Sequence, residues 1–129
     1  MNMKLKILLV DDEADVRSAV TMMLEFLNLE VTAVDSCDSA VEALASDSTI
    51  GAVMTDWNMP HKDGLEVVKS VRRRSSNIPV ILYSGRLDEV EHVAKGFGAN
   101  VCLAKPFTME DLQEVLNEAG IDCDALATH

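Results

Sequence analysis

Ile7-Leu8-Leu9-Val10-Asp11-Asp12-Glu13 is the stretch on which the fold depends: four apolar residues followed at once by three acids. A short apolar run without polar alternation is typical of a strand buried on both faces of a parallel sheet. Parallel strands are joined by crossover connections, usually helices. The stretch therefore predicts an α/β fold in which polar groups follow the strand ends.

The same kind of run recurs four times and alternates with helical periodicity. Val16, Val20 and Leu24, for example, follow the i, i+4, i+8 spacing of one helix face. We expect a (βα)₅ chain folded by right-handed crossovers into a flavodoxin-like, doubly wound parallel sheet. Its strand order would be 2-1-3-4-5, with helices on both faces in three α/β/α layers. The predicted strands are Leu5–Val10, Glu30–Val34, Ala52–Thr55, Pro79–Tyr83 and Val101–Ala104.

Some helix details are also predicted. Ser39 and Glu42 have the spacing of a capping box at the start of the second helix, and Thr108 is the expected N-cap of the fifth. Tyr83 is interpreted as core packing. The expected buried stripe of the fourth helix is Val90, Val93, Ala94 and Phe97.

Composition narrows the function classes. The chain has 129 residues, 48% of them hydrophobic, with 11 basic and 22 acidic residues and a net charge of -11. This acidity argues against direct nucleic-acid or membrane binding, since both need a basic face. No apolar segment approaches the ~18 residues of a membrane span. We expect a cytoplasmic protein with one domain over residues 1–120 and a short tail over 121–129.

Polar residues stand at four of the strand ends. Asp11 and Asp12 follow the first strand, Asp56 the third, Ser84 the fourth and Lys105 the fifth. In the expected strand order these ends share one edge of the sheet. Two carboxylates about 4 Å apart repel by about 4 kcal/mol at an effective dielectric near 20. Three of them would either have raised pKa values or bind a metal ion. Carboxylate oxygens without His or Cys favour Mg²⁺, or the similar Mn²⁺.

The motifs at these ends resemble those of response-regulator receiver domains, the CheY-like phospho-acceptor modules of two-component signalling. The resemblance runs from Lys4 to about Ala119. Its motifs are Ile7–Glu13, Thr55-Asp56-Trp57-Asn58-Met59-Pro60 with Asp63-Gly64, Ser84-Gly85 and Lys105-Pro106-Phe107.

The resemblance implies a metal site and a phosphorylation site. Asp12 and Asp56 would bind Mg²⁺ (or Mn²⁺) directly, Asp11 mainly through water, and Asn58 through its backbone carbonyl. Asp56 would accept a phosphoryl group from a phosphohistidine of a histidine kinase or a histidine phosphotransfer protein. Such a domain promotes its own phosphorylation and dephosphorylation, yet acts as a signalling switch rather than as an enzyme.

The resemblance also implies a switch. Lys105 would contact the phosphoryl group, and its peptide bond to Pro106 would be cis. Ser84 would swing toward the phosphoryl oxygens, taking the Gly85 loop with it. The face formed by the fourth helix, fifth strand and fifth helix would then bind a downstream protein. Cys102 departs from the family, because an aromatic switch residue usually stands three residues before the lysine.

Several alternatives remain open at this point. The chain could be a free-standing regulator or a receiver from a larger transcription factor or hybrid kinase, and a monomer or a phosphorylation-dependent dimer. A flavodoxin-like electron carrier would share the fold, but Asp11-Asp12-Glu13 would repel its phosphate. An aspartyl-phosphate hydrolase would need a substrate-binding cap, for which the chain has no spare residues.

Overall fold

Strands and helices alternate along the chain in the computed structural model, which describes residues 4–59 and 64–123. No helix in these two ranges is both long enough and apolar enough to cross a membrane. The elements are β1 (Lys6–Val10), α1 (Ala14–Phe26), β2 (Glu30–Val34), α2 (Cys37–Ser46), β3 (Ile50–Asp56), α3 (Gly64–Arg74), β4 (Val80–Ser84), α4 (Leu87–Phe97), β5 (Val101–Ala104) and α5 (Met109–Glu118).

The five strands form one sheet in the order β2-β1-β3-β4-β5, and every neighbouring pair is parallel. This confirms the predicted flavodoxin-like topology. The chain reverses direction across the sheet between β1 and β3, which is where ligands bind in open α/β sheets.

Two hydrophobic layers cover the sheet. Successive strand residues point to opposite faces, so Ile7 and Leu9 pack with α1 and α5, whereas Leu8 and Val10 pack with α2, α3 and α4. All four side chains are fully buried. The uninterrupted apolar run in β1 is therefore the consequence of burial on both faces.

The strand bounds differ slightly from prediction. β3 begins at Ile50 rather than Ala52 and ends at Asp56, and β4 runs to Ser84 rather than Tyr83. Asp56 and Ser84 are thus the last paired residues of buried strands, with 1% and 0% exposure. Their polarity suggested that they lie just beyond the strands, but backbone pairing includes them.

Of the two predicted helix caps, the one of α5 is confirmed and the one of α2 is wrong. Thr108 is the N-cap of α5 and forms a reciprocal capping box with Asp111, which confirms its predicted role. The predicted Ser39–Glu42 box is wrong, because α2 starts earlier. Ser36 is its N-cap and accepts a hydrogen bond from the Ser39 backbone N–H at 3.1 Å.

The predicted core stripe of α4 is only half buried. Val90 and Ala94 face the sheet, whereas Val93 is 41% and Phe97 49% exposed. The Lys69 ammonium of α3 lies 4.9 Å from the centre of the Phe97 ring. Phe97 therefore lies on the flank of α4 beside α3, and its interpretation as core filler was wrong.

The packed unit extends slightly past residue 120. Ile121 is 4% exposed, and its backbone N–H donates to the Leu116 carbonyl at 2.9 Å. Residues 124–129 of the predicted tail lie outside the described residues, as do Pro60 and Asp63 of the receiver motif.

Candidate functional site

Strand register brings the predicted site residues to one edge of the sheet. Val10 of β1 pairs with Thr55 of β3, so Asp11 and Asp56 follow at the same level on neighbouring strands. Asp56 in turn pairs with Tyr83 of β4, which puts Ser84 one residue further along. The cleft lies where the strand order reverses.

Three carboxylates converge in this cleft. Asp11, Asp12 and Asp56 each offer an oxygen, and the three oxygens lie within 4.8 Å of one another. Asp11 and Asp56 are almost fully buried. Oδ1 of Asp12 is also buried, and it has no hydrogen-bond partner among the described residues. A buried acceptor without a donor, beside two other carboxylates, is a fit for a hard cation such as Mg²⁺.

Lys105 supplies the positive charge of the cleft. Its Nζ atom lies 3.2 Å from Oδ1 of Asp56, although Lys105 follows β5 and Asp56 ends β3. Burial raises the pKa of Asp56 above its usual value of 3.8; Lys105 opposes this rise, and the charge of Asp11 adds to it. The charge of Lys105 therefore only partly cancels the rise in the pKa of Asp56 that burial causes.

Asp11 is held by contacts from three directions. The Tyr83 hydroxyl donates to its Oδ2 at 2.5 Å, and the Glu13 backbone N–H donates to its Oδ1 at 2.9 Å. The Arg17 guanidinium donates to the Asp11 backbone carbonyl at 2.7 Å. Burial, followed by the hydrogen bond to Asp11, raises the pKa of Tyr83 far above its usual value.

Tyr83 is therefore a site residue that sequence reasoning missed. Its interpretation as core packing describes the ring, which is fully buried, but not the hydroxyl. The available signal was a tyrosine directly before the strand-end serine, in a strand otherwise made of Val, Ile and Leu. A buried tyrosine hydroxyl needs a partner, and only the pairing of strands decides which one.

The loops after β3 and β4 meet across the cleft. The Asn58 backbone N–H lies 3.4 Å from Oδ1 of Asp56, and the Arg86 guanidinium lies 3.4 Å from the Asn58 side-chain oxygen. The Ser84 hydroxyl oxygen accepts the Arg86 backbone N–H at 3.0 Å. Gly85 is exposed, and a Cβ there would meet nothing within 4 Å.

Gly64, the first residue of α3, lies very close to the backbone of Asp56 and Trp57 at the end of β3. A Cβ at this position would lie 2.2 Å from the Asp56 carbonyl oxygen and 2.8 Å from Cα of Trp57. The Gly64 backbone N–H also donates to the Trp57 carbonyl at 2.8 Å. The start of α3 thus packs directly on the backbone that carries Asp56.

The far side of the cleft is formed by β5 and the segment after it. The Lys105–Pro106 peptide bond is cis, as the resemblance implies. Cys102 is buried on the face that packs against α4. Burial, with a further contribution from Glu91, raises the pKa of the Cys102 thiol to about 11, so it stays protonated at neutral pH.

Comparisons with known proteins point to one family. The family model described as "Response regulator receiver domain" matches residues 7–117. The chain is 36% identical over 107 residues to regulatory protein VirG of Agrobacterium tumefaciens, covering 81% of this chain and 39% of VirG. It is 34% identical over 116 residues to chemotaxis protein CheY1 of Helicobacter pylori, covering 87% of this chain and 94% of CheY1. The chain thus spans less than half the length of VirG.

Solved structures of similar proteins point to the same family. Chemotaxis protein CheY4 of Vibrio cholerae superposes with a TM-score of 0.85 at 28% identity, covering 91% of this chain and 99% of that one. The receiver domain of sensor histidine kinase PA1611 from Pseudomonas aeruginosa superposes with a TM-score of 0.81 at 25% identity, covering 92% of this chain and 99% of that one. That structure has a magnesium ion in its active-site cleft. Topology, site residues and relatives lead to the same conclusion: the chain belongs to the family of response-regulator receiver domains.

Proposed function

We propose that this chain is the phospho-accepting switch of a two-component or phosphorelay system, with Asp56 as the acceptor. The observation that carries the proposal is the Asp56 carboxylate, 1% exposed and 3.2 Å from the Lys105 ammonium, beside two further carboxylates. A carboxylate with a neighbouring lysine and a cation site has the groups needed to receive a phosphoryl group.

In the proposed transfer, a carboxylate oxygen of Asp56 forms a bond to phosphorus while the bond between phosphorus and the donor histidine nitrogen breaks. The imidazole keeps the electron pair and takes a proton from water. Lys105, already beside Asp56, neutralises the phosphoryl oxygens. Asp56 thereby exchanges one negative charge for a group carrying more charge and more acceptor oxygens.

Asp12 and Asp56 would hold Mg²⁺ or Mn²⁺ directly and Asp11 mainly through water, with the backbone carbonyl of Asn58 completing the protein's share of the ligands. Oδ1 of Asp12, which has no hydrogen-bond partner within residues 4–59 and 64–123, supports this assignment. When bound, the cation supplies positive charge to phosphoryl oxygens and to the carboxylates. The residues themselves contribute a fixed arrangement of oxygens, which the buried ends of β1 and β3 provide.

The proposed output begins at Ser84 and Gly85. Ser84 would turn from the Arg86 backbone toward the phosphoryl group, and Gly85 leaves room for the loop to follow. The α4-β5-α5 face would then change its affinity for a downstream protein. Cys102 and Pro106 belong to this region, and Cys102 cannot perform the rotamer swap of an aromatic residue.

The donor would be a histidine kinase or a histidine phosphotransfer protein, in the cytoplasm. The chain would act as a monomer or as a phosphorylation-dependent dimer, without direct binding to nucleic acid or membrane. The alternative is a receiver within a larger transcription factor or hybrid kinase; the chain covers 39% of VirG and 94% of CheY1, so relatives of both lengths match it.

Intact-mass spectrometry after incubation with Mg²⁺ and a small phosphodonor tests the proposal. We expect one added phosphoryl group in the wild type and none in Asp56→Asn. Asp122→Asn is the matched control, since it removes an exposed carboxylate beyond α5 and should leave the modification intact. An unmodified wild type, or a phosphoryl group retained by Asp56→Asn, would contradict Asp56 as the acceptor.

A further inference from the structure

Tyr83 connects several parts of the cleft through one side chain. It is fully buried in β4, and its hydroxyl lies 2.5 Å from Oδ2 of Asp11. Its backbone carbonyl accepts the Trp57 N–H at 2.9 Å, and the residue pairs with Asp56 across the two strands. Tyr83 thus links the acid after β1 to the acid that ends β3.

The position of the Tyr83 hydroxyl is determined by the packing of its ring. The Phe107 ring meets it edge-on, with centroids 5.9 Å apart and planes at 76°. The Lys105 ammonium lies 5.0 Å from the ring centre on the way to Asp56. Because both contacts are with the ring, they would persist if the hydroxyl alone were removed.

The Asp11 carboxylate has little rotational freedom as a result. The Glu13 N–H holds Oδ1 and the Tyr83 hydroxyl holds Oδ2, so both oxygens are engaged from within the protein. Each oxygen keeps a further lone pair that can face the cleft. Hydrogen-bond partners of this kind orient metal-binding groups, and their loss typically costs about 10–100-fold in metal affinity.

We propose that Tyr83 is a positioning residue, which orients the Asp11 carboxylate so that the cleft prefers a small divalent cation of strict octahedral geometry. The inference rests on the proposed function, since it concerns the same metal site. Mg²⁺ demands near-ideal octahedral geometry, whereas Ca²⁺ accepts flexible arrangements with longer bonds. Without the Tyr83 hydroxyl, Asp11 would be held by the Glu13 N–H at one oxygen only, and this looser orientation penalises Mg²⁺ more than Ca²⁺.

Tyr83→Phe tests this role, because it removes the hydroxyl and keeps the ring. Calorimetric titrations with Mg²⁺ and with Ca²⁺ give both affinities for the wild type and the variant, without any phosphodonor. We expect the Mg²⁺ affinity to fall about tenfold and the Ca²⁺ affinity to fall by a smaller factor. Urea unfolding in EDTA verifies that the variant is folded.

Ser70→Ala is the matched control, since it removes another buried hydroxyl, from α3, that accepts a hydrogen bond from Arg73. It should leave both affinities unchanged. An unchanged Mg²⁺ affinity in Tyr83→Phe, or an equal fall for both ions, would overturn the positioning role while leaving the proposed function standing. A wild type that does not bind Mg²⁺ would instead contradict the proposed metal site itself.

Discussion

A methyl group at position 64 would collide with the backbone that carries Asp56. The Cβ atom of Gly64→Ala would lie 2.2 Å from the Asp56 carbonyl oxygen and 3.0 Å from the Asp56 carbonyl carbon. Ordinary contacts begin near 3.4 Å. Since these neighbours are backbone atoms, α3 or the end of β3 must move by about an ångström.

The size of the effect follows from two opposing contributions. Adding a methyl group to a well-packed site costs about 1–3 kcal/mol, and the short distances place Gly64→Ala at the upper end. Replacing a helical glycine by alanine returns about 0.5–1 kcal/mol. We expect a net destabilisation of about 2 kcal/mol, which lowers the urea midpoint by about 1 M at a typical m-value. The displaced Asp56 should also be phosphorylated more slowly.

Gly96→Ala is the matched control. Gly96 lies in α4, and a Cβ there would meet nothing within 4 Å. The same substitution should therefore stabilise the protein by about 0.5–1 kcal/mol and leave phosphorylation unchanged. Urea unfolding and the rate of mass increase with a small phosphodonor measure both properties. The reasoning is refuted if the two variants shift in the same direction, or if Gly64→Ala behaves as the wild type.

Three other substitutions test separate parts of the structure. Arg72 donates to three backbone carbonyls and one side-chain amide oxygen, so Arg72→Ala should lose about 3 kcal/mol in urea unfolding. The exposed Arg74→Ala should stay within about 0.5 kcal/mol, and equal losses would contradict the reasoning. Hydrogen bonds from Lys6 first, then Thr49, lower the pKa of Asp47 to about 2. Its ionised form therefore stabilises the fold above pH 3.8, and this contribution is lost as the pH falls toward 2. An NMR titration should show the pKa of Asp47 rising in Lys6→Met; an unchanged value would exclude the pair as the cause. Burial raises the pKa of Asp56 above 3.8, so ionised Asp56 destabilises the metal-free fold as the pH rises. Asp56→Asn should then raise the urea midpoint in EDTA at pH 7, with a gain that shrinks toward pH 4, whereas a lower midpoint at pH 7 would refute this.

The layout of the site could be predicted because each strand signals its own end. A run such as Ile7–Val10 stops at an acid, and the alternation of strands and helices is enough to place all such ends at one edge of a parallel sheet. That reasoning located Asp11, Asp12, Asp56, Ser84 and Lys105 without any coordinates.

Features that depend on a second segment of chain could not be predicted in this way. The exposure of Phe97 depends on where α3 lies beside α4, and periodicity within α4 does not report it. The cap of α2 was misplaced for a different reason. Ser36 and Ser39 both have N-cap chemistry, and only the backbone conformation decides which of them accepts the hydrogen bond.

The sequence by itself determined the alternation of strands and helices and the identity of the acidic and basic groups at the strand ends, because those properties are written in local periodicity and in single residue types. Only the tertiary structure decided how the groups are held. Strand register pairs Asp56 with Tyr83, which brings the Tyr83 hydroxyl to Asp11 across 72 positions of chain. The approach of α3 to β3 likewise leaves no room for a Cβ atom at Gly64. Both are contacts between surfaces that meet only when the chain folds, so no local pattern encodes them.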